Sequence, residues 1–228
     1  MTWHPDMPEE YKNQIVTGEA RELAKRIPDE SIDLIFTDPV YDRIEDYEWL
    51  AKESYRILKD GGSILCFLWS DFMRNVLNAL HGNNLIQRGI LSLHYLNRVI
   101  DSRNKVGINK WTPCVWFSKG DVKSIRSLDL ISCKAFAKHY GDGKSNHPWS
   151  KPPEFFAYYI EAMSCLESVI LDPFVGGGTT SVVCKVLSRN YIAFEIDPDT
   201  AELARERVLN TQPPLFVMEP EQLEIPEC

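Results

Sequence analysis

The sequence predicts an α/β fold: an open, mostly parallel sheet with helices on both faces. Three observations carry that expectation. Apolar runs of strand length alternate with segments of helical period along nearly the whole chain. A glycine-rich stretch, DPFVGGGTT at 172–180, falls where one such strand turns into a helix. The 228 residues suffice for one substantial core and at most a small appended module. Residues 1–212 are therefore read as one domain, with 98–146 as an insertion within it and 213–228 as an acidic tail.

Residues 13–18 (NQIVTG) read as a short strand, and 19–27 as a brief helix with Leu23 and Ile27 one turn apart. SIDLIFTDP is a second strand, entered from a Pro-Asp-Glu turn. Over 46–59, Tyr47, Leu50, Ile57 and Leu58 recur at helical spacing; Lys59-Asp60-Gly61-Gly62 is expected to stop that helix, with glycine supplying a left-handed cap. SILCFLW (63–69) is a buried strand, 71–80 a helix, 85–96 strand-like, and 111–117 a further strand with Pro113 near its start. A helix at 153–167 leads into SVILDPF (168–174), then come the glycine loop, a helix at 179–189, the strand YIAFEI (191–196) and a last helix at 199–210. Residues 119–146 show no period. The tail holds four Glu and no Lys or Arg, and is expected to be mobile or to lie across the surface.

A 44% hydrophobic and 25% charged composition is that of an ordinary soluble protein. No basic leader opens the chain and no apolar run approaches the ~20 residues that span a bilayer, so no membrane partner and a cytoplasmic location are expected. The six cysteines form no Cys-x-x-Cys pair and read as reduced core residues; no metal is implied. The net charge is −8, yet residues 98–151 hold 11 Lys/Arg against four acids. A basic block on an acidic body suits phosphates, although a solvated loop region accounts for it equally well on its own.

The glycine loop fits a nucleotide-like ligand, because three glycines let backbone approach closely and the next helix offers its N–H groups. The dinucleotide pattern Gly-x-Gly-x-x-Gly fails, since Ser181 stands at the third glycine position. Asp172, just before the loop, would repel a pyrophosphate and suits a cation such as the ammonium of a methionine moiety. One strand later, Glu195 can accept both hydroxyls of a ribose, with Ile196 available to cover an adenine face. Together these features favour S-adenosylmethionine over a dinucleotide and disfavour a nicotinamide oxidoreductase.

FTDPVYD (36–42) ends the second predicted strand. An exocyclic amine on adenine or cytosine is a poor nucleophile because its lone pair is delocalised into the ring. Two acceptors gripping its hydrogens would push the nitrogen toward tetrahedral geometry and aim the lone pair at a sulfonium methyl. Asp38 offers one acceptor from its side chain, Pro39 the other from its carbonyl, and Tyr41 can stack on a base turned out of its helix. Taken alone, the same residues also read as an Asx-Pro turn.

DPVY, then HPWSKP (147–152), then DPFVGGGTT resembles the amino-methyltransferases of DNA, N6-adenine or N4-cytosine type, in the group whose catalytic motif precedes its cofactor motif (the beta group). The resemblance covers roughly residues 13–210. It implies a Rossmann-like S-adenosylmethionine-dependent methyltransferase of permuted motif order, in which Asp172, Phe174, Gly176, Gly178 and Thr179 form the cofactor loop and Glu195 binds the ribose. Ser150 and Lys151 would lie near the methionine carboxylate. Glu19, in TGEA, would stand beside the cofactor adenine where the family has aspartate. The resemblance also implies a duplex DNA partner, and admits a homodimer and a restriction endonuclease in the same system.

Aspartate at the first motif position is the form the family associates with adenine, so adenine N6 is the expected acceptor and cytosine N4 the alternative. Arg98, Arg103, Lys105, Lys110, Lys123 and Arg126 are candidate phosphate contacts. Rival readings are a methyltransferase acting on RNA or another amine, and a non-catalytic subunit that lends a nucleic-acid surface to an active partner. Val40 replaces the family's second proline, which would restrict Pro39 to extended conformations and lock its carbonyl toward the substrate. Both acceptors and the aromatic persist, so Val40→Pro is expected to be tolerated without changing the methylated base. Nucleoside mass spectrometry on treated DNA checks this, and a switch of base would refute it.

Overall fold

The computed structural model describes residues 3–94, 111–122 and 151–212. The predicted alternation is realised as strands β1 (Gln14–Thr17), β2 (Ile32–Thr37), β3 (Leu58–Phe67), β4 (Ile86–His94), β5 (Trp111–Ser118), β6 (Val169–Asp172) and β7 (Asn190–Glu195). Between them run helices α1 (Ala20–Ala24), α2 (Ile44–Ile57), α3 (Met73–His81), α4 (Pro153–Met163), α5 (Thr179–Val186) and α6 (Pro198–Asn210). The seven strands form one sheet in the order β1-β7-β6-β2-β3-β5-β4. All neighbours are parallel except that β5 runs antiparallel to both β3 and β4.

Side chains alternate across the pleat, and both faces are apolar, which is why helices cover both. On one face Ile35, Ile64, Cys66, Leu171, Ile192 and Phe194 pack with α1, α2 and α3 through residues such as Ala24, Leu50 and Val76. On the other, Leu34, Phe36, Leu65, Phe67, Ile170 and Ala193 meet α4, α5 and α6 through Phe155, Val182 and Ala204. Four rings, Phe36, Phe67, Phe155 and Phe156, converge beneath the end of β2; Phe36 and Phe156 stack with centroids 4.4 Å apart.

The glycines after α2 do not cap it. The helix ends at Ile57 and passes straight into extended Leu58, because both residues are buried and Leu58 already pairs with Ile32. Between the pairs Ile32↔Leu58 and Leu34↔Ser63, β2 advances two residues and β3 five, so Lys59–Gly62 forms a bulge. Gly61, at φ +85°, makes that detour feasible. Its N–H donates to the Lys119 carbonyl at 2.6 Å, and the Lys119 N–H donates back to the Gly62 carbonyl at 2.9 Å. Asp33 braces the bulge from below, accepting from Lys59 Nζ at 2.8 Å with one oxygen and from the Val169 N–H at 2.8 Å with the other.

Cys66, Cys114 and Cys184 are free and buried, as expected of core residues. Cys165 is disulfide-bonded, against the expectation that every cysteine is reduced; it lies just past α4 and is only partly buried, unlike the other three. No helix among the described residues is long and apolar enough to cross a membrane.

A Cβ added at Gly62 would lie 2.9 Å from the Lys59 carbonyl oxygen and 3.1 Å from that of Asp33, both backbone atoms. Gly62→Ala is therefore expected to destabilise the protein by about 1–3 kcal/mol, read as a lower urea midpoint at unchanged slope.

Candidate active site

Two strand-to-helix turns meet at the carboxyl ends of the parallel strands, where open α/β sheets gather ligands. Asp38-Pro39-Val40-Tyr41 follows β2, and DPFVGGGTT follows β6, its immediate neighbour, through the pairs Leu34↔Ile170 and Ile35↔Leu171. Permuted motif order thus leaves the two turns side by side.

Asp172 is 4% exposed and gives both oxygens to the chain's own donors. Thr37 Oγ1 donates to one at 2.8 Å, and the Phe174 N–H to the same oxygen at 3.2 Å; Thr180 Oγ1 donates to the other at 2.6 Å. The carboxylate read as facing a ligand cation is instead a buried rivet between β2 and the glycine loop. Burial pushes its pKa up to about 7, against the three donors that favour the anion, with the Asp38 charge adding to the rise.

The loop leans on β7. Val175 N–H donates to the Phe194 carbonyl at 3.0 Å, and Gly176 N–H to Glu195 Oε2 at 2.9 Å. Glu195 Oε1 accepts the Asp197 N–H at 3.0 Å, so backbone donors orient the whole carboxylate. Beside it Ile196 is 66% exposed, an apolar plate at a strand tip. A Cβ built on Gly176 meets nothing within 4 Å, so this part of the loop faces open space. Gly178, at φ +79°, lies against Ala204 of α6, and from that helix Arg207 Nη1 donates to the Gly177 carbonyl at 2.7 Å and to Thr179 Oγ1 at 3.1 Å. Phe174 packs edge-on against Trp49 of α2 at 5.9 Å. Glu19 caps α1, accepting the Glu22 N–H at 3.2 Å, and its neighbour Gly18 donates to the Glu195 carbonyl at 2.9 Å, bringing Glu19 to the same corner.

At the other turn, Tyr41 Oη donates to Asp38 Oδ1 at 2.8 Å. Lys151 Nζ donates to Asp38 Oδ2 and, at 2.6 Å, to Tyr41 Oη. Lys151, expected near a cofactor carboxylate, sits instead on the acid-proline-tyrosine turn. Pro39 is buried, whereas Val40 is 58% exposed. Trp69, two residues past the end of neighbouring β3, lies 5.8 Å from the Tyr41 ring. The turn's exit into α2 is tied down by buried Asp46, which pairs with Arg21 of α1 at 2.6 Å and with Arg43 at 3.3 Å.

Thr37, Thr180, Arg207 and Trp69 were missed. Thr180 carried a signal, a hydroxyl in the first turn of the helix eight residues after Asp172; the others are tertiary contacts with no local pattern. Ser150, Arg98, Arg103, Lys105, Lys110, Lys123 and Arg126 lie outside the described residues, as does the 213–228 tail.

The arrangement offers an oriented carboxylate and an apolar plate fit for a nucleoside, beside an acid-carbonyl-aromatic set fit for an amine-bearing base. Residues 32–206 match the family model described as DNA methylase, of N6/N4 type. The chain is 29% identical over 242 aligned positions to the type II methyltransferase M.HpaI of Haemophilus parainfluenzae, covering 86% of this chain and 74% of that one. It is 28% identical over 255 positions to the type II methyltransferase M.HinfI of Haemophilus influenzae, covering 90% and 70%. In fold it is similar to the PvuII DNA methyltransferase (cytosine-N4-specific), with a TM-score of 0.73 at 19% identity over 85% of each chain. It is likewise similar to M1.HpyAVI in its SAM complex, with a TM-score of 0.71 at 22% identity over 86% and 98%.

Because the folded pKa of Asp172 is raised from the ordinary 3.8 to about 7, its contribution to stability is full below pH 3.8 and is lost as pH rises through 7. The melting temperature of the protein is expected to fall by several degrees between pH 5 and 8, since ~1 kcal/mol moves it about 2–4 °C in a domain of this size. Asp172→Asn keeps the shape, and a threonine hydroxyl can turn to accept from its amide. Calorimetry across that range should find the slope flattened in the variant.

Proposed function

The chain belongs to the DNA methylase family, and from that premise we propose that it transfers a methyl group from S-adenosylmethionine to the exocyclic amine of a base turned out of duplex DNA, adenine N6 being preferred. The observation that supports this most is the Thr37–Asp172 hydrogen bond, which joins an amine-gripping turn to a nucleoside-binding loop on adjacent strand tips.

S-adenosylmethionine, when bound, supplies a methyl group on a positively charged sulfur. Glu195 accepts the ribose hydroxyls, Ile196 covers one face of the adenine, and Glu19 stands beside it. Phe174, Gly176, Gly178 and Thr179 shape the loop that Asp172 anchors from within. Asp38 accepts one hydrogen of the target amine and the Pro39 carbonyl the other, which localises the nitrogen lone pair and aims it along the transfer axis. As the nitrogen takes on positive charge, the Asp38 carboxylate stabilises it until a proton leaves to water. Tyr41 stacks on the extruded base. The basic stretch 98–151, with Arg98, Arg103, Lys105, Lys110, Lys123 and Arg126, meets the phosphates.

Aspartate as the first acceptor is what favours adenine; cytosine N4 presents the same amine chemistry and is the second reading. Unmethylated genomic DNA incubated with the protein and S-adenosylmethionine is expected to gain 6-methyladenine, and Asp38→Ala to abolish it, on nucleoside mass spectrometry. New 4-methylcytosine would retain the mechanism and overturn the choice of base. No new methylated base would favour a non-catalytic subunit.

A further inference from the structure

We infer that Lys151 is a positioning residue for methyl transfer: it fixes the Asp38 carboxylate and the Tyr41 hydroxyl in the arrangement that receives the target amine, rather than binding the cofactor. The inference rests on the methyltransferase reading above and deepens it.

Lys151 lies just before α4 and is 8% exposed. Three side chains close a triangle: Lys151 Nζ to Asp38 Oδ2, Lys151 Nζ to Tyr41 Oη at 2.6 Å, and Tyr41 Oη to Asp38 Oδ1 at 2.8 Å. The ammonium is walled by rings, 4.6 Å from the centroid of Phe67 and 5.3 Å from that of Tyr41. A cation withdrawn from water in this way is tolerated only against an anion and π faces, so lysine and aspartate fix each other. The geometric consequence falls on the acceptor. With one oxygen held by the tyrosine and the other by the lysine, the carboxylate is hindered from rotating about its terminal torsion. A torsion of that kind is otherwise broad, and a loosely held acceptor would leave the amine lone pair poorly aimed. The same ammonium tethers the Tyr41 hydroxyl, fixing the ring on which the base stacks. Lys151 exchanges no proton with the base and forms no bond to it; it acts through Asp38 and Tyr41.

Single-turnover methylation of unmethylated genomic DNA at saturating S-adenosylmethionine tests this, together with the affinity for S-adenosylhomocysteine. Lys151→Met is expected to lower the transfer rate roughly 100-fold, the scale of a misplaced reacting group, with S-adenosylhomocysteine affinity within about threefold of wild type. Lys151→Arg should recover part of the rate by restoring the cation, but not all of it, because a planar guanidinium cannot reproduce a compact ammonium. A loss confined to S-adenosylhomocysteine affinity and cured by more cofactor would make Lys151 a cofactor ligand and overturn the inference, as would an unchanged rate. Should Lys151→Met not fold, Lys151→Arg carries the test: a rate below wild type at unchanged affinity supports positioning, and a wild-type rate refutes it. A wild-type protein that methylates no base overturns this inference and the reading beneath it together.

Discussion

The Asp172 carboxylate, sealed between the end of β2 and the first turn of α5, is the contact through which the two halves of the site hold each other. Thr37 binds it from the strand that carries the acid-proline-tyrosine turn, Thr180 from the helix that follows the glycine loop. If that acid were turned outward, the loop would lose its internal anchor and the two turns their shared hydrogen bond. Burial makes the anion expensive, which is why three donors surround it and why its pKa still rises. The remaining geometry follows from this anchor. Gly176 is directed at Glu195, Glu195 is oriented by backbone, and Arg207 closes the loop from behind.

Much of the fold was legible in the sequence because both signals used were local. Strands buried on both faces, such as SILCF and VILD, read as uninterrupted apolar runs, and DPFVGGGTT marks its own strand-to-helix turn. The glycines at 61 and 62 misled because glycine after a helix is ambiguous. Left-handed backbone serves a helix cap and a β-bulge equally well, and only the pairing of Leu58 with Ile32 decides between them. Asp172 misled in a related way. A carboxylate at a strand tip looks available to a ligand until the hydroxyls that claim it arrive from residues 37 and 180, one of them 135 positions away in sequence.

At the acid-proline-tyrosine turn, the spacing of Asp38, Pro39 and Tyr41 points to groups able to grip an amine, but not to what keeps them still. That depends on a lysine more than a hundred residues downstream and on a bed of phenylalanines under β2, neither of which leaves a trace in the local pattern. The turn and its support occupy different levels of information: the first is written in consecutive residues, the second only in the sheet order.

That sheet order also bears on how the molecule comes into being. β1 leaves the ribosome before the other six strands, yet its neighbour among the described residues is β7, with Gln14 beside Ile192. The inner edge of β2 likewise waits for β6. A growing chain that has made β2 through β5 presents an apolar, unpaired strand edge, the feature most open to mispairing, until β6 is synthesised. Long sequence separations of this kind make folding slow. The carboxylate that orders the glycine loop and the threonine that joins it to the acid-proline-tyrosine turn belong to opposite ends of that wait. An interrupted chain therefore carries the acid-proline-tyrosine turn without the partner strand that sets the glycine loop beside it, and the candidate site exists only in the completed sheet.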